Sequence, residues 1–138
     1  MDTQKFIKHY LENIVDQNEE ELRGCFCEDA CIRWHNTNEQ FTVEEFLRAN
    51  CDYPGRWRGE IERIEYAGSV IITVAHVWGK DTSFHVTSFI QLAGEVIKTL
   101  DEYWGDDRQA PQWRAEKHIG KPIKQPNPVT AGIIKSTD

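Results

Sequence analysis

Three apolar-rich runs, Val70-Ile71-Ile72-Thr73-Val74-Ala75-His76-Val77-Trp78, Phe84-His85-Val86-Thr87-Ser88-Phe89-Ile90-Gln91-Leu92 and Val96-Ile97-Lys98-Thr99-Leu100-Asp101-Glu102-Tyr103-Trp104, decide the fold. They are dense in β-branched and aromatic residues, as strands are. Gly79-Lys80-Asp81-Thr82 joins the first two, and Ala93-Gly94-Glu95 joins the second and third. Both connections are turn-like, and Gly94 is free to take a positive φ. Connections this short predict antiparallel neighbours. Gly105-Asp106-Asp107 stops the third run.

Side chains alternate across a strand. His85, Thr87 and Phe89 therefore share one face of the second run, and Val86, Ser88 and Ile90 the other. In the third run Thr99, Asp101 and Tyr103 share a face, opposite Leu100, Glu102 and Trp104. A hairpin with Gly94 as its left-handed residue brings the His85 and Asp101 faces together. A four-residue first turn adds His76 and Trp78. A slip of one residue reverses each pairing.

The flanks supply helices. Asp2 or Thr3 caps a first helix whose apolar stripe is Phe6, Ile7, Tyr10, Leu11, Ile14 and Val15, with His9 off the stripe. Glu19 to Arg23 fits a short second helix. Phe26 to Ala30 reads as a turn leading to a strand over Cys31–His35, and Asn36–Gln40 as a polar loop. Thr42 with Glu45 makes a capping box for a third helix. Glu60 to Tyr66 alternates, with one shift in phase that predicts a bulge near Arg63. Past Gly105 the chain holds four of its five prolines, and Trp113, Ile119 and Ile123 stand there as isolated apolar anchors. This part reads as an extended arm. Helix, helix, strand, helix, then four strands gives an α+β fold: a conical half-barrel of curved antiparallel sheet with the N-terminal helices packed on its concave face.

Composition narrows the function. A chain of 138 residues is one domain by default, large enough to bury its own core. A net charge of −7 argues against nucleic acid and anionic membrane surfaces as partners. No apolar run is long enough for a membrane span, and Met1-Asp2-Thr3-Gln4 runs straight into an amphipathic pattern without a signal peptide, so the expected compartment is cytoplasmic. Cys25, Cys27 and Cys31 form C-x-C-x₃-C, with Cys51 apart. Without a paired C-x-x-C knuckle or a nearby histidine pair they read as small, reduced, apolar residues, and no metal or cofactor is expected.

Ile32-Arg33-Trp34-His35-Asn36-Thr37-Asn38-Glu39-Gln40-Phe41, Phe84-His85-Val86-Thr87-Ser88-Phe89, Asp101-Glu102-Tyr103-Trp104-Gly105-Asp106-Asp107 and Ala110-Pro111-Gln112-Trp113-Arg114, together with the element order, resemble the nuclear transport factor 2-like superfamily and, within it, small SnoaL-like proteins. The resemblance covers roughly residues 3 to 125. The expected domain is 1–125, followed by an extended tail over 126–138. The resemblance implies a conical pocket for a small-molecule ligand and a homodimer joined through the outer sheet face. SnoaL-like cyclases place an acid–base aspartate on the last strand, and Asp101 is similar in position. Those cyclases usually carry His-Trp before it, where this chain has Thr99-Leu100. Ketosteroid isomerases use a basic carboxylate with a tyrosine and a protonated acid, and Asp101 with Tyr103 matches part of that set.

The expectation for the site follows. Asp101 among aromatics is desolvated, its pKa raised, and suited to proton transfer; paired with Arg33, Arg58 or a strand neighbour it is structural instead. His85 is its acid–base partner or a structural hydrogen-bonding residue. Tyr103 donates to a ligand oxyanion. Trp34, Tyr53, Trp57, His76, Trp78, Thr87 and Phe89 complete the substrate-binding set. Trp34 is equally at home in the core, and Tyr53 with Trp57 forms either a lid or a pair of loop anchors. The activity class is an isomerase, cyclase or hydrolase acting without a cofactor. The alternative is a non-catalytic ligand-binding or dimerisation module.

Overall fold

The computed structural model describes residues 1–124. The elements are α1 (Thr3–Asp16), α2 (Glu19–Arg23), β1 (Phe26–Trp34), β2 (Glu39–Phe41), α3 (Val43–Cys51), β3 (Arg58–Ala67), β4 (Val70–Trp78), β5 (Ser83–Ala93), β6 (Val96–Asp106) and α4 (Gln112–Glu116). One six-stranded sheet runs β2-β1-β6-β5-β4-β3. The fold is the expected α+β half-barrel with helices on the concave face.

The turns do what their residues allow. Gly94 takes φ 64° in the β5–β6 hairpin, and Gly79 N–H donates to the Thr82 carbonyl at 2.9 Å to close the β4–β5 turn. The bulge falls between Ile61 and Arg63, with Glu62 the extra residue. Thr42 Oγ1 accepts from the Glu45 amide at 3.2 Å while Glu45 Oε1 accepts from the Thr42 amide at 2.9 Å, so the capping box is complete.

The expectation of a wholly antiparallel sheet needs one correction: β1 pairs with β6 in parallel, and the sheet is mixed. β1 also begins earlier than expected, at Phe26, and part of the loop expected over Asn36–Gln40 forms β2 against it. Both differences have one cause. The β6 edge offers backbone donors and acceptors to a segment 68 residues earlier in the chain, and no local pattern reveals such pairing.

The core sits between the concave face and the helices. Ile7, Leu22, Ile32, Phe46, Leu47, Ile90, Ile97 and Leu100 are fully buried there. α1 lies against β3, and α3 against β1. The two helix ends are sewn together: Gln17 Nε2 donates to the carbonyls of Asn50 and Tyr53, and Asn50 Nδ2 donates to the Ile14 carbonyl. The arm after Gly105 is not uniformly extended, since Gln112–Glu116 is a helical turn. Its supposed anchors, Trp113, Ile119 and Ile123, are exposed on the chain rather than packed into it. The tail over 126–138 lies outside the described residues.

Candidate functional site

β5 and β6 pair in the register that the hairpin predicts. Thr87 faces Tyr103, Phe89 faces Asp101, and across β4 His76 faces His85. The co-facial grouping is therefore correct. The face is not the one expected. Val86, Ser88, Ile90, Leu100 and Glu102 are buried against the helices, which turns Asp101, His85, Tyr103, His76, Trp78, Thr87 and Phe89 to the outer surface of the sheet. The physical reason is the sum of apolar area: Ile71, Ala75, Val77, Val86, Ile90 and Leu100 outweigh the aromatics of the opposite side.

Asp101 is no desolvated base. Arg33 Nε donates to Oδ1 at 2.7 Å and Nη2 to Oδ2 at 3.1 Å, while His35 Nε2 lies 2.7 Å from Oδ1. The bidentate guanidinium holds its pKa below the usual aspartate value, against the opposing effect of partial burial, with His35 assisting. His35 also stacks on Tyr103, with centroids 4.4 Å apart. His85 does not reach Asp101. It pairs with Gly105, four residues and about 13 Å further along β6. Its acid is Asp107, with Nδ1 to Oδ1 at 2.5 Å. Burial works against the charged form of His85, but the hydrogen bonds and charges of Asp107 and Glu62 outweigh it and raise the pKa.

Tyr53 and Trp57 stack on each other at 5.3 Å. Trp57 packs against Phe84 and over Gly79, and neither aromatic lines the interior cavity.

That cavity lies between α1, α3 and the sheet, and its volume is about 20 Å³, room for about one water. Ile7, Leu11, Ile14, Phe46, Ala75, Val77 and Val86 supply apolar wall, and Tyr10, Asn50, Thr73, Ser88, Glu102 and Trp104 its polar groups. Glu102 is the focus, 4% exposed. Ser88 Oγ donates to Oε2 at 2.6 Å and Trp34 Nε1 to Oε1 at 3.1 Å. Burial raises its pKa; the donors Ser88 and Trp34, and the nearby indole of Trp104, offset this only in part. The Tyr10 hydroxyl and Trp104 Nε1 are buried without a hydrogen-bond partner of normal geometry among the described residues. Burial, with the charge of Glu102, also raises the Tyr10 pKa well above its usual value.

The interior thus holds a carboxyl biased to its neutral form beside the unpartnered Tyr10 hydroxyl and the Trp104 indole, which lies near Glu102 without a hydrogen bond of normal geometry. Of the residues expected from sequence, only Trp34 touches this group. Glu102 was missed although its signal was present: an acid between Leu100 and Trp104 on the apolar face of a strand. Tyr10, on the apolar stripe of α1, was equally visible.

No family model matches the chain, and no curated protein does. Solved structures do. A proposed ketosteroid isomerase from Kribbella flavida is similar with a TM-score of 0.72 and 19% identity, over 89% of this chain and 90% of the other. A nuclear transport factor 2-like protein of unknown function from Burkholderia xenovorans gives 0.71 and 15%, over 88% and 94%. A proposed SnoaL-like polyketide cyclase from Shewanella putrefaciens gives 0.62 and 12%, over 73% and 78%. Helices on the concave face, the mixed six-stranded sheet and these likenesses agree: the chain has the nuclear transport factor 2-like fold.

Proposed function

We propose that the chain binds a compact, largely apolar small molecule in its interior cone and performs acid–base chemistry there, with Glu102 as proton donor. The observation that carries this reading is the buried Glu102 carboxyl sharing one cavity with the unpartnered Tyr10 hydroxyl and Trp104 indole N–H. A neutral carboxyl in an apolar cavity holds a proton for a carbonyl, lactone or epoxide oxygen. The two unused donors suit the charge that develops on that oxygen. A ligand larger than water enters only if the helices that wall the cavity, α1 and α3, shift from the sheet. Proteins of isomerase-like, cyclase-like and hydrolase-like description share the fold, which supports the reaction class and leaves the substrate to experiment.

The test is a thermal-shift screen of the full chain against small cyclic ketones, lactones and epoxides, followed by turnover assays on those that bind. Binding by the wild type that is lost in Glu102→Gln and weakened in Tyr10→Phe, but kept in Asp101→Asn, supports the reading. Ligands that act equally on Glu102→Gln, or that depend on Asp101, refute it.

A second reading rests on the outer face. Phe89 and Tyr103 are exposed there, beside an open groove of about 320 Å³ lined by Arg33, Val70, Phe89, Gln91, Thr99, Asp101 and Tyr103. An aromatic, partly charged face of this kind fits a homodimer contact without catalysis. Light scattering on the wild type and on Phe89→Glu checks it: a dimer that falls to monomer supports the contact, and a wild-type monomer removes it.

A further inference from the structure

At the end of the same outer face, away from the cone, four segments bring histidines and carboxylates together. His76 of β4 and His85 of β5 are cross-strand partners, their rings stacked with centroids 4.6 Å apart. The bulge in β3 inserts Glu62 next to them, its Oε2 3.3 Å from His85 Nε2. Asp107, just past β6, holds His85 Nδ1 on one oxygen and the Ser83 hydroxyl on the other. The same hydroxyl contacts His76 Nε2 at 2.8 Å, and Glu60 lies 3.8 Å from His76 Nδ1. One donor atom from each of Glu62, His76 and His85 falls within 4.8 Å of the other two.

We infer that Glu62, His76 and His85 form a binding site for a divalent first-row transition ion of the zinc class, with Asp107 orienting His85. This inference is independent of the interior site. It also departs from the expectation of no metal drawn from the sequence.

Three features support it. The ligand set, two imidazoles and one carboxylate, leaves coordination positions open and suits zinc, cobalt or nickel rather than calcium or magnesium. The Asp107–His85 pair is a carboxylate–histidine arrangement: the carboxylate holds Nδ1 and aims Nε2 at Glu62 at 3.3 Å, where a cation takes the place of the Nε2 proton between the two. Tetrahedral zinc with bonds of about 2.0–2.1 Å places its ligand atoms about 3.4 Å apart. The separations exceed that by at most about 1.4 Å, which small side-chain rotations close, and all three side chains are partly exposed. The neighbouring cation is Lys124, 4.0 Å from Glu62 and itself exposed, which a divalent ion displaces.

The experiment is a Co²⁺ titration of the full chain, freed of any histidine tag, followed by visible absorption, with Zn²⁺ as competitor. The expected result is one saturable Co²⁺ per chain with ligand-field bands, no thiolate-to-cobalt charge transfer, displacement by Zn²⁺, and no competition from equimolar Mg²⁺ or Ca²⁺. His76→Ala/His85→Ala abolishes the bands, and Asp107→Asn weakens binding by about 10- to 100-fold. On the unmodified chain, Co²⁺ shifts the imidazole proton resonances of His76 and His85 and leaves those of His9 and His118 in place. Absence of saturable binding overturns the inference. So does a thiolate signal, which moves the ion to the cysteines. So do equal affinity in the double variant and histidine resonances that do not move.

Discussion

Glu102 gives the sharpest test of the interior. In Glu102→Gln the side chain keeps its shape and loses its titration. The amide oxygen accepts from Trp34 Nε1, which is obliged to donate, and the amide N–H₂ then faces Ser88 Oγ, which turns from donor to acceptor. One hydrogen bond is weakened, so at acid pH, where the wild-type carboxyl is neutral in both states, the variant is within about 1 kcal/mol of wild type. The sign of the pH dependence follows from the raised folded pKa. Wild-type stability is fully present below the unfolded glutamate value of about 4.3 and is lost as pH rises through the folded value, at about 1.4 kcal/mol for each unit between the two. The variant does not lose it. Urea unfolding of both proteins from about pH 4 to pH 8 therefore gives a difference curve that climbs in favour of the variant and then levels. Its total height measures the shift in the folded protein. A flat curve shows that burial does not disfavour the charge. A curve that falls shows a carboxylate stabilised in its charged form, and either result removes Glu102 as proton donor.

Three further outcomes follow from the packing. Asp101, held low by Arg33, contributes stability above about pH 4 that is lost as pH falls through its folded value; Asp101→Asn flattens that acid limb at a cost of about 1 kcal/mol, small because Arg33 and His35 are largely exposed. An unchanged acid limb contradicts the ion pair. A methyl at Gly79 meets the Trp57 ring at 2.9 Å, so Gly79→Ala costs about 1–3 kcal/mol and lowers the melting temperature, and an unchanged melting temperature shows that Trp57 does not pack there. The Cys25 thiol is 3% exposed, and burial pushes its pKa up to about 11; it is the last of the four cysteines to react with iodoacetamide at about pH 8, read by peptide mass. Early labelling of Cys25 contradicts its burial.

What was legible in the chain was local. Gly94, the Thr42–Glu45 box and the phase shift before Ile64 each name their structure within a few residues, because turn, cap and bulge are short-range solutions. Strand parity was legible too, and it grouped His76, His85, Thr87, Phe89, Asp101 and Tyr103 correctly. Parity does not say which side is inside. That depends on apolar area summed over strands, and the face with more reactive side chains is here the outer one. Arg33 and His35 reach Asp101 across 68 and 66 residues through the parallel β1–β6 pairing, which has no short-range signature. Asp107 was read as a strand stop, and its value as a partner for His85 appears only when β5 and β6 lie side by side.

The pleat of β6 carries the chemical division of the molecule. Asp101 and Glu102 are adjacent acids whose pKa values move in opposite directions, because alternation sends one to a guanidinium at the surface and the other to an indole and a hydroxyl in the core. The charged acid serves ion pairing on the outer face. The buried acid is pushed toward its neutral form, and the proposed proton transfer rests on it. The sheet that separates them also separates the histidine cluster from the cavity, so an ion held by His76, His85 and Glu62 and a ligand held near Glu102 occupy opposite surfaces of one layer. Each can therefore be removed by substitution without deleting a side chain that the other requires, and the two can be tested in the same protein without confusing their failures.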